Sequence, residues 1–324
     1  MDINFIPLLG SEIALSLYPQ IIKLIPTTIE VQVAVRCITY SILAIIGYYI
    51  TKNKDTISSV TNTNTNTNTN TNTNTNTLSL TSGIVMGIVN IIHIISSYVC
   101  FNTLSSGVGY SIFYIYPIFN LLGRTLFYGE KINSINYIYM LISILGVYLI
   151  YKNKTEHVPD TKKDNIDTFQ NENLNLNLND ILNTKNTNIG IIAGIFSALT
   201  ESIIYFMVKD NIGNVSPYIQ LLKTYLLGGV LSIIYLVKNI SLISLDYNYW
   251  ITLILFNAIV GFMGYLLRFI MISKLSTLLF NSLIFIGVIF SYIWGYLLSN
   301  EPITYSNLSG TVLILMSIFL INKK

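Results

Sequence analysis

Two acids and two bases lie inside long apolar runs of this sequence. Glu12 and Glu201 lie in the first and sixth runs, and Arg36 and Lys223 lie in the second and seventh. Each charge at the centre of a membrane-spanning helix costs about 2.5–3.5 kcal/mol, so such residues should face a wet cavity or the protein interior and find a partner there. The bases could hold an anionic group, whereas either acid could bind a substrate amine or carry a coupling proton.

A structural interpretation of the same four residues stays open. Glu12 could pair with Arg36, and Glu201 with Lys223, so that each ion pair only fixes the packing of its helices. A binding role instead predicts a cavity near the middle of the membrane that all four side chains line. The two interpretations differ in whether a solute can reach the charged groups.

Neutral polar residues in other apolar runs could complete such a site. Asn90 and His93 are three positions apart in the third run and therefore share a helix face. Asn120 and Asn281 lie in the fourth and ninth runs. The aromatic residues that could form cavity walls are Tyr110, Tyr114, Tyr116 and Trp294. The candidate substrate- or ion-binding residues are therefore Glu12, Arg36, Glu201, Lys223, His93, Asn90, Asn120 and Asn281.

Other basic residues lie closer to the ends of apolar runs. Lys23, Arg124 and Lys274 can extend to the membrane interface, where water solvates their charges. Arg268 is five residues from the end of its run, so we expect its environment to be intermediate between the membrane interface and the helix centre.

The composition is that of a membrane protein. Of 324 residues, 52% are hydrophobic and only 10% are charged, whereas soluble proteins carry about a quarter charged residues. The net charge of +3 is small and the basic residues are scattered, so no nucleic acid is expected as a partner. Cys37 and Cys100 both lie in apolar runs, which indicates core residues rather than a metal site or a disulfide.

The sequence offers no motif for catalysis. It contains no P-loop, no glycine-rich phosphate loop and no Ser/His/Asp spacing typical of a hydrolase. We therefore predict no enzymatic activity, no catalytic residue, no cofactor and no ATP-driven step.

A membrane-spanning helix needs about 20 mostly apolar residues, and the sequence contains ten such runs. They are 4–25, 30–51, 80–102, 106–128, 134–151, 189–208, 216–237, 249–273, 276–298 and 303–321. Many end in Tyr or Lys, as residues at a membrane interface do. Pro19 and Pro117 should break the helices that contain them. The predicted fold is an all-α integral membrane protein with ten transmembrane helices.

Two low-complexity segments interrupt this pattern. Residues 61–77 read TNTNTNTNTNTNTNTNT, and residues 152–188 are Asn-rich and charged. Neither composition can bury a core, so we predict a disordered Thr/Asn loop over 52–79 and a disordered linker over 152–188. The linker divides the chain into one half over 1–151 and another over 189–324, with five apolar runs in each.

The charged residues recur in the same order in both halves. Glu12 precedes Arg36 by 24 positions, and Glu201 precedes Lys223 by 22. A further acid follows the fourth run of each half. Because five is odd, two consecutive five-helix repeats must enter the membrane from opposite sides, which predicts inverted repeats of the kind found in secondary transporters.

The last two helices of each half carry a resemblance to a known family. The stretches are YPIFNLLGRTLFYGEKINSINYIYMLISILGVYLIY (116–151) and IFIGVIFSYIWGYLLSNEPITYSNLSGTVLILMSIFLI (284–321). The chain resembles the EamA-type ten-helix carriers of the drug/metabolite transporter superfamily, in which a Gly-Glu turn and a glycine-containing helix end each half. Gly129, Glu130, Gly146, Glu301 and Gly310 fit that pattern. The pattern's other glycines are replaced by Tyr139, Asn300 and Ser317.

The turn residues are expected to be structural. Glu130 and Glu301 can accept hydrogen bonds from the backbone N–H groups that open the last helix of each half. Gly129 and Gly310 complete this set of structural positions.

The resemblance implies a secondary transporter that moves a small polar metabolite by alternating access. Amino acids, amines, nucleotide-linked sugars and phosphorylated metabolites are all candidate substrates. A non-transporting membrane scaffold or a degenerate carrier is the alternative. The expected partners are the lipid bilayer and a small-molecule substrate, and a homodimer stays open.

The resemblance also implies that both termini lie in the cytosol. Positive residues of short loops concentrate on the cytosolic side. The short loops that would be cytosolic contain Lys52, Lys54, Lys131, Lys209, Lys274, Lys323 and Lys324, against Lys23 and Lys238 on the other side.

Overall fold

The computed structural model describes residues 6–61, 80–129, 133–152, 172–210, 215–240, 243, 245–275, 280, 281, 283, 284 and 286–322. Over these residues the chain is helical and contains no strand. The helices are α1 (Ile6–Leu15), α2 (Tyr18–Leu24), α3 (Ile29–Thr61), α4 (Leu80–Thr103), α5 (Ser106–Phe113), α6 (Tyr116–Tyr128), α7 (Ser134–Lys152), α8 (Glu172–Asp210), α9 (Pro217–Asn239), α10 (Tyr247–Leu255), α11 (Met263–Lys274), α12 (Ile286–Ser299) and α13 (Tyr305–Asn322). A π-helical segment, Phe256–Phe262, joins α10 to α11.

Every predicted apolar run contains helix, but two of the predicted helices are broken. The first run forms α1 and α2, and the fourth forms α5 and α6. Pro19 and Pro117 occupy the second position of α2 and α6 respectively, where a residue without an N–H group is tolerated. The predicted breaks at these prolines are confirmed. Five helical stretches are long and apolar enough to cross a membrane: Ile29–Lys52, Thr81–Thr103, Asn186–Asp210, Pro217–Asn239 and Tyr247–Lys274.

Two helices extend into segments that were expected to be disordered. Helix α3 continues to Thr61 rather than ending near residue 51, and α8 begins at Glu172, inside the predicted linker. In the segment before residue 189, Leu174, Leu178 and Ile181 are four and three positions apart. Such spacing is a helical period in the sequence, which the Asn content of the region obscures. Residues 62–79 and 153–171 lie outside the described part of the chain.

The chain divides into two compact units, and each contains segments from both predicted repeats. The first unit comprises Met1–Leu15, Ile25–Ile95 and Ile203–Thr277. The second comprises Ser16–Leu24, Ser96–Ser202 and Leu278–Lys324.

In the first unit, α3 packs closely against α9 in an antiparallel direction. A Cβ atom on Gly228 would lie 2.9 Å from Cys37 Sγ, and one on Gly47 would overlap the ring of Tyr218. As the residue number rises along α3, the number of the contacting residue falls along α9. Small residues allow this close approach of two apolar helices.

In the second unit, α7 and α13 cross in the same antiparallel way. A Cβ atom on Gly146 would lie 2.6 Å from the carbonyl oxygen of Gly310, and one on Gly310 would lie 2.6 Å from that of Gly146. Ser306 Oγ donates a hydrogen bond of 3.1 Å to the carbonyl oxygen of Leu149. The two glycines therefore permit backbone contact at the crossing point.

Two residues with positive φ stand at corresponding positions of the two halves. Gly129 follows α6 with φ 66°, and Asn300 follows α12 with φ 50°. Glycine takes this left-handed conformation freely, and Asn is among the few other residues that tolerate it. Asn300 therefore preserves the backbone geometry of the turn where the Gly-Glu pattern has lost its glycine.

Candidate functional site

Glu12 forms a buried ion pair with Arg268. The Nε atom of Arg268 lies 3.5 Å from Oε1 of Glu12, and the side chains are 2% and 0% exposed. Helices α1 and α11 bring the pair together, because Gly264 leaves room for Leu15: a Cβ atom there would lie 2.9 Å from Leu15 Cδ2. Arg268 is thus fully buried, which corrects the expectation of an intermediate environment.

Arg36 lies among the rings of three tyrosines. Its Cζ atom is 4.8 Å from the ring centroid of Tyr265, 5.4 Å from that of Tyr40 and 5.9 Å from that of Tyr225. Its Nη2 atom also donates a hydrogen bond of 3.1 Å to the Tyr225 hydroxyl. The tyrosines stabilise the buried guanidinium through cation–π attraction, which is strongest where water is excluded.

The ion pair and the tyrosine cage form one cluster. Tyr265 and Arg268 are three residues apart on α11 and therefore share a helix face. The rings also contact each other, with centroids 4.6 Å apart for Tyr40 and Tyr225 and 6.0 Å apart for Tyr40 and Tyr265. We name this set the arginine–tyrosine cluster: Glu12, Arg36, Tyr40, Tyr225, Tyr265 and Arg268. Guanidinium groups bind carboxylates and phosphates through two parallel hydrogen bonds, so the cluster has groups suited to an anion.

Lys223 is two residues before Tyr225 on α9, and its side chain contacts α4. Its side chain packs beside Gly83, where a Cβ atom would be 4.0 Å from Lys223 Cγ. One position later, the Thr224 carbonyl oxygen accepts a hydrogen bond of 3.0 Å from Asn90 Nδ2. His93 lies one turn further along α4 and is buried as well.

Three further predicted site residues belong to the second unit. Glu201, Asn120 and Asn281 are all buried there. Ser202 Oγ donates a hydrogen bond of 2.7 Å to Asn120 Oδ1. The four charged residues predicted to act together are therefore divided, with Glu201 in the second unit and the other three in the first.

Glu301 binds Lys23 and the first turn of α5. Lys23 Nζ lies 2.5 Å from Glu301 Oε1, and the Ser106 backbone N–H donates to Oε2 at 2.7 Å. Gln20 Nε2 also donates to Ser106 Oγ, at 2.5 Å. Lys23, expected to extend to the interface, is thus part of a polar network that joins α2, α5 and the turn after α12.

The capping role predicted for Glu301 is found at a different helix. Glu301 was expected to accept from the N–H groups that open α13, but the backbone N–H group that donates to its carboxylate is that of Ser106, at the N-terminus of α5. The left-handed Asn300 redirects the chain, and the Glu301 N–H donates back to the Gly295 carbonyl oxygen at 3.0 Å. Gly295 also leaves space for the carboxylate, because a Cβ atom there would lie 2.5 Å from Glu301 Oε2. Glu130 lies outside the described residues.

The aromatic residues predicted as cavity walls pack in the second unit. Tyr110 and Tyr114 stack with ring centroids 4.8 Å apart, and Tyr114 meets Tyr116 edge-on at 5.7 Å. Trp294 Nε1 donates a hydrogen bond of 3.0 Å to Ser16 Oγ.

Comparison with known proteins identifies the family. The EamA-like transporter family matches residues 5–152 and 188–323, so the two halves match separately. The chain belongs to the EamA-like transporter family. It is an integral, multi-pass membrane protein built from two EamA repeats.

Solved structures support the fold of this EamA-like chain. One, described only as "Crystal structure of protein", superposes with a TM-score of 0.54 at 10% sequence identity. The match covers 98% of this chain and 95% of the other. The comparison with curated proteins gave no match.

Four residues of the arginine–tyrosine cluster in this EamA-like chain were not predicted as site residues: Tyr40, Tyr225, Tyr265 and Arg268. A local signal was available for part of this set. Tyr40 follows Arg36 by four positions and Arg268 follows Tyr265 by three, so each Arg and Tyr share a helix face. Tyr225 had no such signal, because it meets Arg36 only through the packing of α3 against α9.

Proposed function

We propose that this EamA-like chain is a secondary transporter that moves a small polar metabolite by alternating access, without ATP hydrolysis. The observation that carries the proposal is the arginine–tyrosine cluster, which is buried in apolar helices of a transporter-family member. Ionisable residues are expensive inside a membrane, and where they occur they commonly mark substrate or ion pathways. A membrane scaffold has little need of three buried charges in one cluster.

We further propose that the two halves, 1–151 and 189–324, are inverted repeats joined by the linker at 152–188. Corresponding helices of the two halves, α3 with α9 and α7 with α13, pack antiparallel to each other. A two-fold axis in the membrane plane would produce such contacts. The matching left-handed turns at Gly129 and Asn300 give independent support. Both termini are proposed to lie in the cytosol.

Within the proposed site, Glu12 is the first candidate for substrate or proton binding. Arg268 would hold the carboxylate in one state and release it in another. We keep Arg36, Lys223, Glu201, His93, Asn90, Asn120 and Asn281 as further proposed contacts.

Uptake of labelled metabolites into proteoliposomes tests the function. The Glu12→Gln variant should lower uptake by tenfold or more, whereas Glu30→Gln, at an exposed position of α3, should leave it unchanged. Removing one partner of a buried pair costs about 3–5 kcal/mol of stability, so loss of uptake alone would be ambiguous.

A double variant separates the functional role of the pair from a structural one. Glu12→Gln with Arg268→Gln removes both charges and leaves neither unpaired, so it should recover the thermal stability that the single variant loses. If the pair acts in transport, uptake stays low in the stable double variant. Recovery of uptake would show that the pair is structural. Absence of uptake of every metabolite class by the folded wild-type protein would favour the non-transporting alternative.

A further inference from the structure

We propose that Asn120 and Ser291 are equivalent contacts, one from each EamA repeat, that hydrogen-bond an uncharged, hydroxyl-bearing solute such as a hexose. This inference rests on the transport function proposed above. It adds a solute class and two specificity-determining residues, of which Ser291 was not among the residues predicted from the sequence.

Both residues are buried, and each has a side-chain atom without a hydrogen-bond partner. Asn120 and Ser291 are each 0% exposed. The unpaired atoms are Nδ2 of Asn120 and Oγ of Ser291. Leaving a buried donor or acceptor unpaired costs free energy, so native proteins keep few such groups and each one needs an explanation. A group that binds the solute in another state of the transport cycle has such an explanation.

The other end of the Asn120 amide is already engaged. Ser202 Oγ donates a hydrogen bond of 2.7 Å to Asn120 Oδ1, which holds the side chain and leaves the two N–H donors of Nδ2 for another group. Exchanging the two ends of the amide would leave the oxygen unpaired instead. A hydroxyl group of the solute suits either arrangement, because a hydroxyl both donates and accepts. It suits the hydroxyl of Ser291 for the same reason.

The two residues occupy corresponding positions of the repeats. Asn120 is nine residues before the left-handed Gly129, and Ser291 is nine residues before the left-handed Asn300. Both belong to the second compact unit, Asn120 on α6 and Ser291 on α12. Each repeat therefore contributes one uncharged polar residue at the same position, as expected where two repeats build one site.

Each of the two residues follows an interruption of its helix. In the first repeat, α5 ends at Phe113 and α6 begins at Tyr116. In the second repeat, residues 280, 281 and 283 are helical, Ile284 is in a turn and α12 begins at Ile286. Discontinuous helices commonly form the binding sites of secondary transporters.

A proline explains only the first interruption. Pro117 follows it, whereas Val288 stands at the corresponding position of the second repeat. There the Gly287 N–H group donates to the Ile284 carbonyl oxygen at 3.0 Å, a bond between residues three apart instead of the four of an α-helix. Asn281, in the helical residues before this turn, also has an unpaired atom, Oδ1. The second interruption thus persists without a proline and has its own unpaired polar group.

Each polar contact has an aromatic residue on its own helix face. Tyr116 is four positions before Asn120, and Trp294 is three positions after Ser291. Tyr116 is buried, and Trp294 Nε1 donates a hydrogen bond of 3.0 Å to Ser16 Oγ, which fixes its ring. Ligand sites combine aromatic walls with a few polar groups that determine orientation. A hexose suits this combination, because its ring has both hydroxyl groups and apolar C–H faces.

The class of solute is tested in proteoliposomes with hexose probes that differ in one group. Glucose, glucosamine and glucuronate form a neutral, positive and negative series. We expect uptake of glucose in preference to both charged members. The monodeoxy derivatives of glucose each lack one hydroxyl. At least one of them should have a KM roughly fivefold or more above that of glucose, because a site that hydrogen-bonds a hydroxyl rejects the analogue without it.

The two residues are tested with variants that remove the unpaired groups. Ser291→Ala should raise the apparent KM for glucose roughly fivefold or more, and should also raise the midpoint of thermal unfolding in detergent, because an unpaired buried hydroxyl is removed. Asn120→Leu combined with Ser202→Ala removes the amide together with its partner and should raise the KM in the same way. A deoxyglucose that has already lost the contact should lose no further affinity in the variant that lacks the same contact.

Two other serines of the second unit supply matched controls. Ser143 is 0% exposed and its Oγ is also unpaired, but it lies in α7 and Ile314 stands at its corresponding position. Ser143→Ala should therefore raise the unfolding midpoint and leave the KM unchanged. Ser111 Oγ donates to the Gly107 carbonyl oxygen at 2.7 Å and lies 2.9 Å from Thr311 Oγ1. Ser111→Ala should lower the midpoint, because it removes a paired hydroxyl.

The outcomes separate this inference from the transport function. An unchanged KM in either variant, or an equal rise in Ser143→Ala, would overturn the assignment of the two residues. A lower unfolding midpoint of Ser291→Ala would overturn it too, since Oγ would then be paired, for example with an enclosed water. Preference for a charged probe, or uptake of another metabolite class and of no hexose, would overturn the solute class and leave transport intact. If the folded protein moves none of the metabolite panel, the transport function fails and this inference with it.

Discussion

Arg36 is stabilised in the protein interior by aromatic rings as well as by a hydrogen bond. The nearest ring is that of Tyr265, whose centroid lies 4.8 Å from the guanidinium carbon. Desolvated cation–π contacts contribute about 2 kcal/mol. The tyrosines therefore offset part of the cost of burying Arg36 while leaving its charge in place.

Replacing Tyr265 with Leu should lower the free energy of unfolding by about 2 kcal/mol, because the cation–π contact and an aromatic contact with Tyr40 are both lost. Tyr265→Phe keeps the ring and should retain most of the stability. Thermal unfolding in detergent measures the difference. Tyr296→Leu, at a position 59% exposed, controls for the loss of a tyrosine and should change little. Equal destabilisation by the Phe and Leu variants would instead assign the effect to the hydroxyl.

At the residue scale, the sequence showed which charges matter but not which side chains they meet. Glu12 and Arg36 were recognisable because a charge in an apolar run is conspicuous. The partner of Glu12 was not, since Arg268 lies 256 positions later in the sequence and meets it only through the contact of α1 with α11. Pairings of this kind depend on helix packing, which apolar length and period do not encode.

The turns after α6 and α12 have the same left-handed backbone conformation, although different residues adopt it. The chain reverses in both places through a left-handed residue, Gly129 in one half and Asn300 in the other. Ordinary L-residues pay roughly 1–2 kcal/mol in this conformation, whereas Gly pays nothing. The asparagine is thus a conservative replacement in backbone terms.

Gly129→Ala tests the backbone requirement alone. Nothing lies within 4 Å of a Cβ atom built at Gly129, so the substitution creates strain without a clash. We expect a loss of about 1 kcal/mol in the free energy of unfolding, read from thermal unfolding. Gly10→Ala is a matched control: it also has nothing within 4 Å, but it lies inside α1. Ala should be neutral or slightly stabilising there, so equal losses at the two sites would contradict the strain argument.

At the element scale, helix positions were predictable and helix details were not. Apolar length located every helix, and proline chemistry located both breaks. The π-helical segment at Phe256–Phe262 had no sequence signal of comparable strength. Within it, Asn257 Nδ2 donates a hydrogen bond of 2.8 Å to the Leu253 carbonyl oxygen. Such a local side-chain bond competes with regular backbone pairing, and its geometry is visible only in the folded chain.

At the scale of the whole molecule, the proposed odd number of membrane-spanning helices per half would determine the topology. Antiparallel contacts between corresponding helices were not part of the sequence-based prediction, yet they are what an inverted pair of five-helix repeats requires. Gly146 and Gly310, each noted in sequence only as a fit to a family pattern, prove to face each other at one crossing. Their roles follow from the pairing of the repeats and not from either repeat alone.

Inverted topology predicts that corresponding positions of the two halves lie on opposite sides of the membrane. Ser134 and Tyr305 are the first residues of α7 and α13, and both are exposed. Each follows the acid of its own turn by four positions. When the protein is expressed in the plasma membrane with cytosolic termini, Ser134→Cys should react with a membrane-impermeant maleimide only after permeabilisation, whereas Tyr305→Cys should react in sealed cells.

The chain is well suited to this measurement because its own thiols are inaccessible. Cys37 and Cys100 are free and fully buried, so the unmodified protein should label little in either condition. The reverse pattern of labelling would keep the inverted repeats and place the termini outside the cytosol. Labelling of both introduced cysteines from one side would contradict inversion itself. In that case the antiparallel contacts of α3 with α9 and of α7 with α13 would need a cause other than an in-plane two-fold axis.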